Sequence, residues 1–243
     1  GGEDTAARAC LEQVLVEAQW AKVKAEQAAF NRTGRTKRRG LGLSVVPGFD
    51  DGPPPGAQVR IETLADGRLR ILSSSVETGE SSRTVLAQLV AQAIGLDVDD
   101  VVVAQADTHL VPDSGDTPSA MVRGLGRLLV DAARQLKNAL ERRAGRPLET
   151  RTRLLDAVRS AHREGLVPAA DVRAPLRDPT RDDAGPPDRT VSWLATVASV
   201  EVDLVTGETR VPGLWMVGEA GLLVNPLEVR ARLHGGALEA VGR

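Results

Sequence analysis

Apolar positions along this chain recur with two periods, and the switching between them predicts helices alternating with hairpins. From Ala7 to Phe30, Leu11, Val14, Leu15 and Ala18 fall at helical spacing in a stretch without Gly or Pro, which predicts one helix. LGLSVVPGF, Leu41 to Phe49, reads as a buried strand. DDGPPPG, Asp50 to Gly56, reads as a loop, because three prolines fix the backbone and remove donors. Gln58 to Ile61 and Arg68 to Leu72 flank the turn signal Ala65-Asp66-Gly67. Val59, Ile61, Leu69 and Ile71 face one way and Arg60, Arg68 and Arg70 the other, as in a half-buried hairpin.

After a turn at Thr78-Gly79, the residues Val85, Leu86, Leu89, Val90 and Ala93 form one helical stripe. Ser81 or Ser82 is placed to cap that helix and Gly95 to end it. A longer helix is predicted from about Gly124 to Arg143, with Leu125, Leu128, Leu129, Ala132, Leu136 and Leu140 on one face. A modest helix, Arg153 to His162, follows, and then Pro168 to Arg189 reads as an exposed connection. A second hairpin spans Thr196 to Val217 around Thr206-Gly207, and Asn225-Pro226 makes a helix start. The alternation argues an α+β fold, with hairpins and mixed sheets packed against amphipathic helices. It divides into a helix with a basic lead-in (1–40), a first α+β lobe (41–143), a polar Pro/Arg-rich connection (144–190) and a second lobe (191–243).

Composition narrows the function classes. The net charge is −2 over 243 residues, which gives no electrostatic reason to expect a nucleic-acid or membrane surface. No apolar run approaches the roughly 20 residues that span a bilayer. The basic stretch NRTGRTKRRG, Asn31 to Gly40, reads as a solvated loop. A single cysteine, Cys10, excludes a disulfide framework or a thiolate-bound cluster within the chain and reads as a small buried residue. His109, His162 and His234 are too scattered for a ligand set and read as surface or loop residues, and LDVDD, Leu96 to Asp100, as a solvated turn. With no leader pattern before the first helix, the expected location is the cytoplasm.

The block SSSVETGESSRTVLAQLVAQAIG, Ser73 to Gly95, sets a helix start directly after a glycine turn, a geometry that holds phosphates. With VVVAQADTHLVPDSGDT (Val101 to Thr117), VEVDLVTGETRV (Val200 to Val211) and NPLEVRARLHGG (Asn225 to Gly236), it resembles the molybdopterin-binding subunit of the xanthine dehydrogenase and aldehyde oxidase family. The resemblance implies a molybdopterin-type molybdenum cofactor, a small-molecule substrate, and as partners the remainder of that subunit with iron–sulfur and FAD subunits or domains. It implies hydroxylation of a purine, a related N-heterocycle or an aldehyde.

The family's Glu-x-Gly-Gln-Gly turn matches Glu77 to Ser81, so Gly79, Glu80, Ser81, Ser82 and Thr84 are candidate cofactor contacts, with Glu80 in place of Gln and Ser81 in place of Gly. A carboxylate at Glu80 satisfies the donors a phosphate would use. In the second loop the candidates are Thr117, Ser119 and Ala120; the family's Arg falls at a small deletion, with Arg123 at the start of the next helix as the alternative to its loss. In the third they are Asn225, Arg232 (where the family has Gln), Gly235 and Gly236. The family's general-base glutamate is expected beyond Arg243 and the other half of its pocket upstream, so no residue is assigned a catalytic or metal-ligating role. The alternative is a degenerate, non-catalytic partner-binding or scaffold module that has kept the fold and lost the cofactor.

Overall fold

The computed structural model describes residues 2–50, 53, 55–77, 79, 81–104, 107, 109–112, 124–174 and 190–242, with backbone alone at 2–4, 49, 50 and 190. The chain divides into two compact units, Asp50–Arg189 and Gly1–Phe49 with Thr190–Arg243. This grouping differs from the linear division read from the sequence, because strand pairing joins segments distant in the chain.

In the unit of residues 50–189, strands β2 (Gln58–Thr63) and β3 (Leu69–Leu72) form the expected hairpin, with Ile61 opposite Ile71. Val59, Ile61, Leu69 and Ile71 are at most 1% exposed, so the alternation read from the sequence does select the buried face. The turn fits tightly. Gly67 has φ +101°, and a Cβ there would stand 3.2 Å from the Leu155 carbonyl, so glycine is required on both counts. Helix α3 (Ser82–Ile94) then crosses over to β4 (Val101–Val103), which pairs parallel with β3. Gly95, at φ 92°, closes α3 by donating to the Ala91 carbonyl at 2.9 Å. Helix α4 (Gly126–Ala144) buries Leu128, Leu129, Ala132, Ala133, Leu136 and Leu140 in the same core. Each leucine so buried contributes roughly 1.5–3 kcal/mol.

Two expectations hold only in part in this unit. The segment 144–190 is not simply a polar connection. Helix α5 (Arg151–Arg163) forms where the modest helix was read and buries Leu154, Leu155, Val158 and Ala161, but β5 (Ala169–Arg173), within the stretch read as an exposed connection, pairs antiparallel with β2. Four apolar residues at helical spacing outweigh a charged composition, because charge on the opposite face costs nothing in water. The part from 175 to 189 lies outside the described residues. LDVDD is a turn before β4, as read, but is only partly solvated: Asp97 and Asp100 cap a 3-10 turn at Val98–Asp100, and Asp100 is 5% exposed.

In the other unit, β1 (Lys37–Asp50), β6 (Thr190–Asp203) and β7 (Thr209–Glu219) form a sheet in the order β1-β6-β7. The hairpin turns where predicted, with Gly207 at φ 74°. Cys10, Val14 and Ala18 of the first helical stretch pack with Ala195 and Val197 of β6, and all three tryptophans of the chain border this small core. Cys10 is buried as read, and burial pushes its thiol pKa up. The single helix expected over Ala7 to Phe30 is two, α1 (Gly2–Glu17) and α2 (Trp20–Thr33), because Gln19 adopts φ 48° and ends the first. β1 is not a buried strand. It is an edge of the sheet, with Leu43 and Val46 exposed, and its paired side lies toward β6 alone. The basic stretch is only partly a loop, since Lys37 and Arg39 lie on β1 and both pair with Glu201, with Arg39 also 4.4 Å above the Phe30 ring.

Candidate functional site

The turn before α3 is organised by a residue that the sequence reading did not assign. Glu77 folds its carboxylate back over the start of the helix. One oxygen accepts from the Gly79 N–H at 2.9 Å and the Ser81 N–H at 2.8 Å; the other accepts from Ser82 Oγ at 3.3 Å and the Arg83 N–H at 3.4 Å. The positive end of α3 therefore already holds an anion, supplied by the chain itself. Ser81 sits at the N-cap position but gives no side-chain cap, and Ser82 is the first helical residue. The expectation that either serine caps α3 is corrected, because a carboxylate with two oxygens reaches three main-chain donors where one hydroxyl reaches one. The signal was present as an acid five residues ahead of the helix start, within reach of its free N–H groups.

Ser81 also has φ 54° and ψ 31°, the left-handed conformation that favours glycine. This is the position where the resembling family reads Gly. A serine holds this conformation at the cost of backbone strain.

The structure brings Gly79, Ser81 and Ser82 together around Glu77, and Thr84 is exposed one turn on. Gly79, at φ +96°, has nothing within 4 Å of where a Cβ would stand, so one side of the turn is open to close approach. In the same unit, Ser73 Oγ and Arg83 Nε are buried with no hydrogen-bond partner among the described residues. Glu80, Thr117, Ser119, Ala120 and Arg123 lie outside the described residues.

Asn225, Arg232, Gly235 and Gly236 belong to the other unit. Asn225 Oδ1 accepts from the Glu228 N–H at 3.3 Å and so caps α6 (Pro226–Gly242), as its sequence predicts. Arg232 is exposed on that helix. Gly235 and Gly236 lie within it, and a Cβ at either would meet nothing within 4 Å.

The remaining titratable candidates have structural roles. Arg151 grips Asp100 through two bonds of 2.6 Å, which hold the Asp100 carboxyl below the ordinary aspartate range. His162 is not a free surface histidine: its Nε2 lies 2.9 Å from the Thr63 hydroxyl, which itself donates to the Pro168 carbonyl. Among the described residues no cluster of His, Cys, Asp and Glu could hold a metal ion. Nor is any helix there long and apolar enough to cross a membrane.

An α+β fold that offers an open glycine turn at a helix start is a binding architecture. The family described as the molybdopterin cofactor-binding domain matches residues 13–243. The chain belongs to that family. It is 25% identical over 253 residues to the putative xanthine dehydrogenase molybdenum-binding subunit of Escherichia coli, covering 96% of this chain and 33% of that protein. It is 23% identical over 244 residues to the xanthine dehydrogenase of Drosophila pseudoobscura pseudoobscura, covering 96% of this chain and 18% of that one. The fold matches that of a Cu,Mo-CO dehydrogenase with a TM-score of 0.75 at 18% identity, over 94% of this chain and 33% of that one. The chain thus spans a third or less of the length of these relatives.

The described residues fit such a cofactor in one respect and resist it in another. The open side of Gly79 suits close approach of a ligand to the backbone. A phosphate at the start of α3 does not fit while Glu77 fills that position.

Proposed function

We propose that this chain is the cofactor-binding part of a cytoplasmic molybdenum hydroxylase subunit of the xanthine dehydrogenase-like type, with a purine, a related N-heterocycle or an aldehyde as substrate. The observation that carries the reading is the strand–turn–helix–strand order from Leu69 to Val103, in a chain whose family match runs from residue 13 to 243. When bound, the cofactor supplies the two-electron oxidation of a substrate carbon, with electrons passing to iron–sulfur and FAD partners. The residues of this chain contribute binding. Glu77 holds the turn in shape and the Gly79 backbone admits close approach. Asn225 fixes where α6 begins and so where Arg232 stands along it. Glu80, Ser81, Ser82, Thr84, Thr117, Ser119 and Ala120 complete the proposed contacts on the loops, and Gly235 and Gly236 those on α6.

A second reading, a partner-binding or scaffold module that has lost the cofactor, is favoured by one observation: Glu77 already satisfies the donors at the start of α3. Metal analysis separates the two. Molybdenum measured by mass spectrometry in the longest native form, purified without added cofactor, is expected near one atom per chain. Its absence, restored by Glu80→Gln with Ser81→Gly, places the loss at this turn; its absence in every variant overturns the hydroxylase reading.

A further inference from the structure

A second feature of the 50–189 unit lies apart from the glycine turn. The last turn of α4, the chain that leaves it and the outer face of α5 enclose a groove of about 680 Å3. Arg143, Arg146, Arg153 and Arg163 line it, against only two acids, Asp156 and Glu164. Both acids are engaged: Glu164 is held by Arg143, and Asp156 pairs with Arg159 at 3.3 Å. Among the described residues, Arg146, Arg153 and Arg163 have no ion pair. Four guanidinium groups thus face two carboxylates around one groove, in a chain whose net charge is −2.

Helix electrostatics explain part of this. Arg143 and Arg146 stand at the C-terminal end of α4 and Arg163 at that of α5, where cations complement the negative end of a helix. Arg153 has the opposite placement. It lies in the first turn of α5, where a positive charge meets the positive end of the helix. Its neighbour Arg151 is compensated there by Asp97 and Asp100; Arg153 is not.

The spacing indicates what would compensate it. Arg153 and Arg163 are ten residues apart on one helix, roughly 15 Å along its axis, too far for a single compact anion to meet both. An extended segment of about five residues covers that distance. Ala144 and Ala157 supply small apolar surface on the groove floor between the charges. We propose that this groove docks an acidic extended segment of a partner protein, with carboxylates about four residues apart reaching Arg153 and Arg163 and an aliphatic side chain between them over Ala144 and Ala157. Arginine suits the task, since its fork binds a carboxylate through two parallel bonds and is only weakly hydrated.

The test uses the full 243-residue chain and a fluorescein-labelled peptide Glu-Glu-Leu-Glu-Glu, read by anisotropy at low salt. Binding is expected, with Arg153→Glu/Arg163→Glu weakening it roughly ten-fold or more. Arg35→Glu/Arg38→Glu in the other unit should leave it unchanged. Arg153→Glu favours the start of α5 and Arg163→Glu opposes its end, so the two offset and the thermal midpoint should hold; Arg153→Gln/Arg163→Gln provides a milder pair with the same expected direction. Equal binding of the Gln-Gln-Leu-Gln-Gln peptide, no effect of either arginine pair, or tighter binding of tripolyphosphate or of a short single-stranded oligonucleotide than of the acidic peptide would each overturn the proposal.

Discussion

Ser81 adopts φ 54° and ψ 31°, where a Cβ costs roughly 1–2 kcal/mol, while four residues away Glu77 satisfies the donors that this conformation exposes. The two residues act in opposite directions on one turn. Ser81→Gly is expected to stabilise the protein by about 0.5–1 kcal/mol, the relief of strain being offset in part by the freer unfolded glycine. Denaturant unfolding measures it, and a loss of stability would show that the Ser81 side chain has a favourable contact outweighing its strain. Glu77→Ala should cost about 1–2 kcal/mol, as removal of a helix cap does, and Glu77→Gln less because one oxygen acceptor remains. Equal midpoints for all three proteins would mean that the Glu77 bonds do not stabilise α3. At this scale the glycine turn was legible from the residues, since Thr78-Gly79 precedes a helical stripe. Its cap was not, because whether a carboxylate turns back onto its own backbone depends on φ and ψ angles that residue identity leaves open.

At the scale of elements, the 3-10 turn before β4 and the first residue of α5 are tied by Asp100 and Arg151, far apart in sequence and joined by two 2.6 Å bonds. The Arg151 guanidinium holds the folded Asp100 carboxyl below the value of about 3.9 it takes when unfolded. The stabilisation is therefore complete above that unfolded value and is lost as pH falls through the lower folded one. Asp100→Asn should lower stability at neutral pH by about 1–3 kcal/mol and flatten the acid limb of the stability profile. Unfolding midpoints from pH 7 down to pH 2 check this; a parallel acid limb in the variant would assign the acid sensitivity to other groups. The amphipathic stripes of α3, α4 and α5 were readable because burial follows a 3.6-residue period. The break at Gln19 was not, since neither Gly nor Pro marks it and tertiary packing of Val14, Ala18 and Trp20 decides where the helix turns.

For the molecule as a whole, the core of residues 50–189 is closed on itself: one sheet in the order β4-β3-β2-β5, covered by α3, α4 and α5. A polypeptide of residues 50–189 is therefore expected to fold alone, with a cooperative thermal transition and dispersed amide resonances. A chain without either would show that its core depends on the remaining segments. The other unit cannot be cut out as one stretch, because its sheet takes β1 from one end of the sequence and β6 and β7 from the other.

Sequence alone determined the α+β class, the two hairpins, the stripes of the helices, the cap at Asn225 and the family. Each of these depends on periodicity or on residue chemistry within a few positions of the chain. Tertiary structure decided what depends on partners remote in sequence. It placed β1 beside β6 and β5 beside β2, because an edge strand can satisfy its hydrogen bonds with any strand brought alongside. It buried Asp100, because an arginine 51 residues away arrives to neutralise it. It set four arginines around one groove, because the distance between Arg146 and α5 is fixed by packing rather than by the chain that joins them.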